Sequence, residues 1–287
     1  MPSLMPGLGR PAIFIAVAIA CLALPTMVDV ARESWSTEQG AHGPIVLVTG
    51  IWLLIRELRR APLQFERGNA LLTALLLVPC LIVFTLARIS GIIEIEGFAM
   101  YASLILVAYG LWGGALLTRI WFPLLYMMFV FPPPDTVFAM ITQPLKIGIS
   151  QAVIWMLHAL GYPVAGSGVT IQIGQYQMLV AAACAGLNSL LSLTALGLFY
   201  SYIRHSSNFA YMVLLVCCIL PIAILANFVR VMLLMLVTYY FGEAVGQGFV
   251  HELAGLVMFA TALILIFALD WLGAPIRRRL AREVHAA

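Results

Sequence analysis

"NFAYMVLLVCCILPIAILANFV", residues 208–229, decides the fold class. It runs for 22 residues without a single charge. A bilayer's hydrocarbon core, about 30 Å thick, takes roughly 20 apolar residues of helix to cross. Lipid offers backbone N–H and C=O groups no partner, so a segment of this kind must be helical. The rest of the chain has the same character. Of its 287 residues, 63% are hydrophobic and only 9% are charged, against about 25% in an ordinary soluble domain. The fold class this implies is an all-α polytopic membrane protein, in one integral domain over 1–287. Apolar runs predict about eight transmembrane helices, at 11–29, 44–56, 69–87, 98–118, 120–131, 185–203, 208–229 and 252–272. The first is too long for the apolar core of a cleaved signal peptide, and no small-x-small site follows it.

Between the fifth and sixth spans lies the one long non-spanning stretch. "FPPPD" (131–135) stops a helix, because consecutive prolines cannot continue it. Residues 138–160 read as a short amphipathic helix, with Gln143, Lys146 and Ser150 on one side. A ninth span would push the arginine tail outside, so a helix lying on the outer surface is preferred to one that crosses. In "VTIQIGQYQMLV" (169–180), Val169, Ile171 and Ile173 alternate with polar residues, and Tyr176, Met178 and Val180 alternate in the opposite phase. Gly174-Gln175 between them suggests a small β-hairpin.

Arginines orient the chain, since cytoplasmic loops carry the excess of basic residues. Arg56, Arg59, Arg60 and Arg67 surround one loop, Arg204 follows the sixth span, and Arg277, Arg278, Arg279 and Arg282 form the tail. With Arg10 and Arg119, eleven of the fifteen basic residues fall on one side. Both termini are then cytoplasmic. The opposite face holds Asp29, Glu33, Glu38, Glu94, Glu96, Asp135, Glu243 and Glu252.

That orientation brings three polar residues to one depth at the outer face. Cys184, in "AAACAGLNSL" (181–190), opens the sixth span. Arg230 ends the seventh, in "ANFVRV" (226–231). His251 opens the eighth, in "VHELAG" (250–255). Each has an ordinary reading on its own. A membrane cysteine usually packs, an arginine snorkels, and a histidine sits at the interface. Arg230, however, is followed by "VMLLMLVTYYF" (231–241), and a buried intramembrane cation is costly enough to suggest a function. Asn188 follows Cys184 at i+4, and Asn227 precedes Arg230 at i−3, so both lie on the same helix faces as those residues.

Acyl transfer through a thioester is the chemistry that fits. Cys184 as a thiolate at a helix N-terminus is the nucleophile. His251 accepts and returns the proton. Arg230 donates hydrogen bonds to the developing oxyanion. Other chemistries lack their residues. His251-Glu252 begins HExxH, but Gly255 stands where the second zinc ligand belongs. There is no G-x-S-x-G elbow, no P-loop, no CxxC and no pair of intramembrane aspartates. No cofactor or metal is expected, and the scattered net charge of +3 offers nucleic acid no surface. A different class remains open: a non-enzymatic transporter or assembly factor, in which Arg230 and His251 line a polar path and Cys184 is dispensable.

"AAACAGLNSL", "LANFVRVMLL" (225–234) and "HELAGLVMF" (251–259) resemble the three signature blocks of the exosortase/archaeosortase family. "PPPD" and "LGYPVAGSGVTIQIGQYQMLVA" (160–181) resemble that family's segment before the cysteine. The likeness spans roughly 70–272 and is strongest over 160–260. One departure is Ala185, where the family often has serine. The resemblance implies a membrane cysteine transpeptidase with Cys184, Arg230 and His251 as its triad. Its partners would be secreted proteins bearing a C-terminal sorting signal: a short motif such as Pro-Glu-Pro, an apolar helix and a basic tail. Its place would be the bacterial inner membrane, with the active site at the outer face.

Overall fold

The computed structural model describes residues 10–37, 40–60, 66–179, 188–242 and 249–278. Cys184, Val180, Glu38, Glu243, Arg279 and Arg282 lie outside the described residues. The chain falls into two compact units, Met1–Pro134 and Asp135–Ala287.

The first unit holds α1 (Arg10–Glu33), α2 (Gly43–Arg59), α3 (Ala70–Ser90), α4 (Ile93–Arg119) and α5 (Trp121–Met127), with a 3-10 turn over Met128–Val130. Asn69 starts α3 by accepting hydrogen bonds from the backbone of Leu71 and Leu72 at 3.0 and 3.1 Å. Such a cap satisfies donors that a helix start leaves free. Gly91, at φ +69°, ends α3 in the left-handed conformation that suits glycine. Near the start of α4, buried Glu96 accepts from Thr26 of α1 at 2.7 Å and from Arg88 of α3 at 2.6 Å. Arg88 also reaches Asp29, at 3.7 Å. At the far end of α4, Arg119 donates to the Glu57 carbonyl at 2.9 Å, and Glu57 pairs with Arg60 at 2.8 Å. The acidic network and the arginine-rich loop therefore occupy opposite ends of α4.

A kink interrupts α4 at Gly113 (φ +78°, ψ −179°), where a Cβ would collide with the Glu66 carbonyl oxygen. A side chain there meets both backbone strain and a clash. Gly113→Ala is expected to destabilise by about 1–3 kcal/mol, read as a lowered Tm of the purified protein in detergent. An unchanged Tm would show that the kink relaxes without cost.

The second unit holds α6 (Asp135–Ala159), strands β1 (Val164–Ser167), β2 (Thr170–Ile173) and β3 (Tyr176–Leu179), then α7 (Asn188–His205), α8 (Phe209–Phe241) and α9 (Phe249–Leu272). The strands form an antiparallel sheet in the order β1-β2-β3. Both connections are two residues long, pairing Ser167 with Thr170 and Ile173 with Tyr176. Each loop begins with a glycine at positive φ, Gly168 (+61°) and Gly174 (+57°). That is the pattern of type II′ turns, whose twist matches that of the flanking strands. Alternation puts Ile171 and Ile173 fully inside while Gln172 faces out.

Among the described residues, six helices are long and apolar enough to cross a membrane: α1, α3, α4, α6, α8 and α9. Five coincide with expected spans. The sixth, α6, coincides with the helix expected over 138–160, for which the sequence prefers the outer surface and leaves a ninth span as the alternative. It is 25 residues long and packs lengthwise on α8. Ile149, Val153 and Leu157 of α6 join Val231, Leu234 and Met235 of α8 and Ile171 and Ile173 of β2 in one buried cluster. Pro144, Gly148 and Ala152 line a groove with Pro221, Ile224 and Phe228. Residue numbers rise together along both helices, so they run in the same direction. The supposed polar side of α6 fails at Ser150, which is fully buried and donates to the Lys146 carbonyl at 2.9 Å. The expected span at 120–131 is a ten-residue helix, Trp121–Val130. At 1.5 Å per residue it covers about 15 Å, half of the hydrocarbon.

Candidate functional site

Arg230 was placed at the end of a span by its sequence. In the structure α8 continues to Phe241, and Arg230 is the 22nd of its 33 residues. Residues 231–241 stay helical because Val231, Leu234 and Met235 bury against α6 and the sheet. Arg230 is 5% exposed and Asn227 1% exposed. Three positions apart, they share one buried face of α8. Thr238 continues that face, also 1% exposed. Taking a cation out of water carries a large penalty unless other groups solvate it. This guanidinium is therefore held among protein groups, not spread along the surface.

α7 and α9 flank α8 in the opposite direction. Leu193 of α7, Ala223 and Ala226 of α8, and Met258 and Ala262 of α9 pack as one layer. Small alanines let the three helices approach closely. Gly197 serves the same purpose, since a Cβ there would stand 2.6 Å from Ile219 Cδ1. From that layer, Asn188, Arg230 and His251 lie five, four and seven residues along their helices, all toward the same end. At 1.5 Å per residue these offsets are about 8, 6 and 10 Å. The first turns of α7 and α9 thus stand level with Arg230. Asn188 is the first residue of α7 and His251 the third of α9; their side chains lie outside the described residues. Cys184 precedes Asn188 by four residues and lies outside them altogether. The four described cysteines, Cys21, Cys80, Cys217 and Cys218, are free thiols.

Beyond Arg230, Tyr162, Tyr239 and Tyr240 meet edge to face, with ring centroids 5.2–6.3 Å apart. Tyr162 and Tyr240 hydroxyls lie 2.9 Å apart. That hydrogen bond pushes the Tyr162 phenol up from its ordinary value. Sequence reasoning passed over a second polar cluster, at the opposite end of the unit. Asp270 accepts from Tyr200 at 2.6 Å and from Tyr211 at 3.0 Å. His205 Nε2 lies 2.9 Å and Arg277 Nη1 3.2 Å from the same carboxylate. Its signal was present: one aspartate near the end of the apolar run 252–272.

Long apolar helices, with polar networks gathered at their ends, define a polytopic helical membrane protein. Residues 35–268, more than two thirds of the chain, match a protein-family model described as transmembrane exosortase, and the chain belongs to that family. The match includes all three blocks that hold Cys184, Arg230 and His251. No curated protein and no solved structure matches the chain.

Proposed function

We propose that the protein is a membrane-embedded cysteine protease or transpeptidase that removes the C-terminal sorting signal of secreted proteins. The observation that carries this reading is Arg230, a buried arginine level with the first turns of α7 and α9, near which the sequence puts Cys184 and His251. The Cys184 thiolate attacks the scissile carbonyl carbon, forming a C–S bond. Arg230 donates hydrogen bonds to the resulting oxyanion. As the oxyanion collapses the C–N bond breaks, and the leaving amine takes a proton from His251. His251 then removes a proton from the incoming amine or water, which attacks the thioester and releases the sulfur as thiolate. Family membership supports the same chemistry.

The site is assigned to the outer face of the bacterial inner membrane. Arg204, Arg277 and Arg278 cluster at the opposite end of the second unit from Arg230, and such residues favour the cytoplasm. A substrate anchored by an apolar helix with a basic tail would present its motif at the outer interface. The orientation is testable through Cys184. An impermeant maleimide added outside intact spheroplasts is expected to label it and to leave Cys21, Cys80, Cys217 and Cys218 unlabelled. Labelling only in inverted vesicles would reverse the assignment. The function itself is tested by the mass of a candidate substrate's new C-terminus, with and without this protein. An unshortened substrate in both cells would refute it.

A further inference from the structure

The polar cluster around Asp270 marks a level in the bilayer. Tyr200 and His205 of α7, Tyr211 of α8 and Arg277 after α9 all converge on one carboxylate. Asn208 starts α8 at the same end and donates to the Arg277 carbonyl at 3.3 Å. So many polar groups at the ends of three apolar helices belong near water, at the headgroup boundary. Arg204 stands at this end, beside His205. It is exposed, and among the described residues it forms no ion pair. Arg277 differs, because Asp270 already balances its charge.

Directly below Arg204, toward the membrane interior, α7 and α9 leave a groove of about 300 Å³ between them. Leu196, Phe199, Ile203, Leu263 and Phe267 line it, with Arg204 at its rim. Ile203 and Phe267 are exposed, so the groove is open to the surroundings of the helices. We propose that it holds an acyl chain of an anionic phospholipid whose phosphate pairs with Arg204. Bilayer lipid matches both parts of the site, an apolar slot and a cation at headgroup level. Arginine's planar fork also suits phosphate oxygens. The groove places the chain, and the Arg204 charge selects the headgroup. This site is independent of the proposed catalysis, which lies toward the other end of the helices.

Native mass spectrometry of the purified full chain tests the site, with phosphatidylglycerol and phosphatidylcholine compared at equal concentration. The wild type is expected to retain phosphatidylglycerol preferentially. Arg204→Gln is expected to weaken that binding about fivefold, the usual worth of one basic residue near an anionic headgroup, while Arg204→Lys keeps most of it. Leu263→Trp, which fills the groove, is expected to expel the lipid although Arg204 remains. Arg278→Gln removes another exposed cation and is expected to change little. Circular dichroism and a monodisperse elution profile establish that each variant is folded. Three results would overturn the proposal. One is equal losses for Arg204→Gln and Arg278→Gln with none for Leu263→Trp, which means diffuse attraction to the surface. Another is full displacement of the lipid by inorganic phosphate, which means a free-anion site. The third is equal retention of the two lipids.

Discussion

A Cys184→Ala protein co-expressed with a sorting-signal substrate is expected to leave that substrate uncut and to carry no covalent adduct. The loss is complete because no other group on the route to the thioester supplies a nucleophile. On the proposed mechanism, wild-type turnover passes through a bond between Cys184 Sγ and the substrate's new C-terminal carbonyl. The adduct appears as a gel or mass shift of this protein. Hydroxylamine, which cleaves thioesters at neutral pH, should reverse the shift and release a substrate that lacks its C-terminal helix. Cys184→Ser should trap a slower-resolving ester, since an alkoxide leaves less readily than a thiolate. His251→Ala should slow both formation and resolution of the adduct, because one residue handles both protons. The experiment also divides the enzyme from a transporter or assembly factor, which has no use for a thiol and would tolerate alanine. Undiminished processing by Cys184→Ala would sink the cysteine mechanism, and the shared signature blocks would then mark a scaffold alone.

Helices α1, α3, α4, α8 and α9 announce themselves in sequence because uninterrupted apolar runs have few alternatives in lipid. What the runs leave open is where a helix ends. Residues 231–241 could continue α8 or stop after Arg230, and packing on α6 and β2 settles it in favour of continuation. Helix α6 is hard to place from sequence for a related reason. Gln143, Lys146 and Ser150 resemble a wet face, yet a serine can turn its hydroxyl onto the carbonyl four residues back and then be buried. A polar residue that satisfies itself is invisible to a count of periodicity. The sheet was half visible. The Gly174-Gln175 turn stands out between alternating residues, whereas β1, "VAGS", has no alternation to detect. At the site, Arg230 and Asn227 were readable as polar interruptions of an apolar helix. Their burial was not, since it depends on which neighbours α7 and α9 bring alongside. The Asp270 cluster needed three helices in register before its five side chains became one network.

Arg230→Lys is the other substitution expected to act strongly, and it separates a forked donor from a simple charge. Both side chains carry one positive charge, so topology, solubility and long-range electrostatics are nearly preserved. Only arginine offers parallel N–H donors in a fixed plane. If two of those donors meet the oxyanion, lysine loses the paired geometry, and the rate should fall by about 10²–10³, the usual cost of one lost oxyanion contact. Because the contact strengthens as the oxyanion forms, the loss should fall on kcat and leave KM nearly unchanged. Burial supplies the control. At 5% exposure, Arg230 sits where truncation disturbs packing, so Arg230→Ala alone would confuse misfolding with lost catalysis. The lysine variant avoids that if it accumulates to wild-type levels and melts near the wild-type temperature. Asn227→Ala, one turn earlier on the same buried face, should have a smaller effect if Asn227 orients the guanidinium and does not touch the substrate. Full activity in a stable Arg230→Lys protein would reduce Arg230 to a point charge. The oxyanion would then have to be held by other donors, such as the backbone N–H groups at the start of α7.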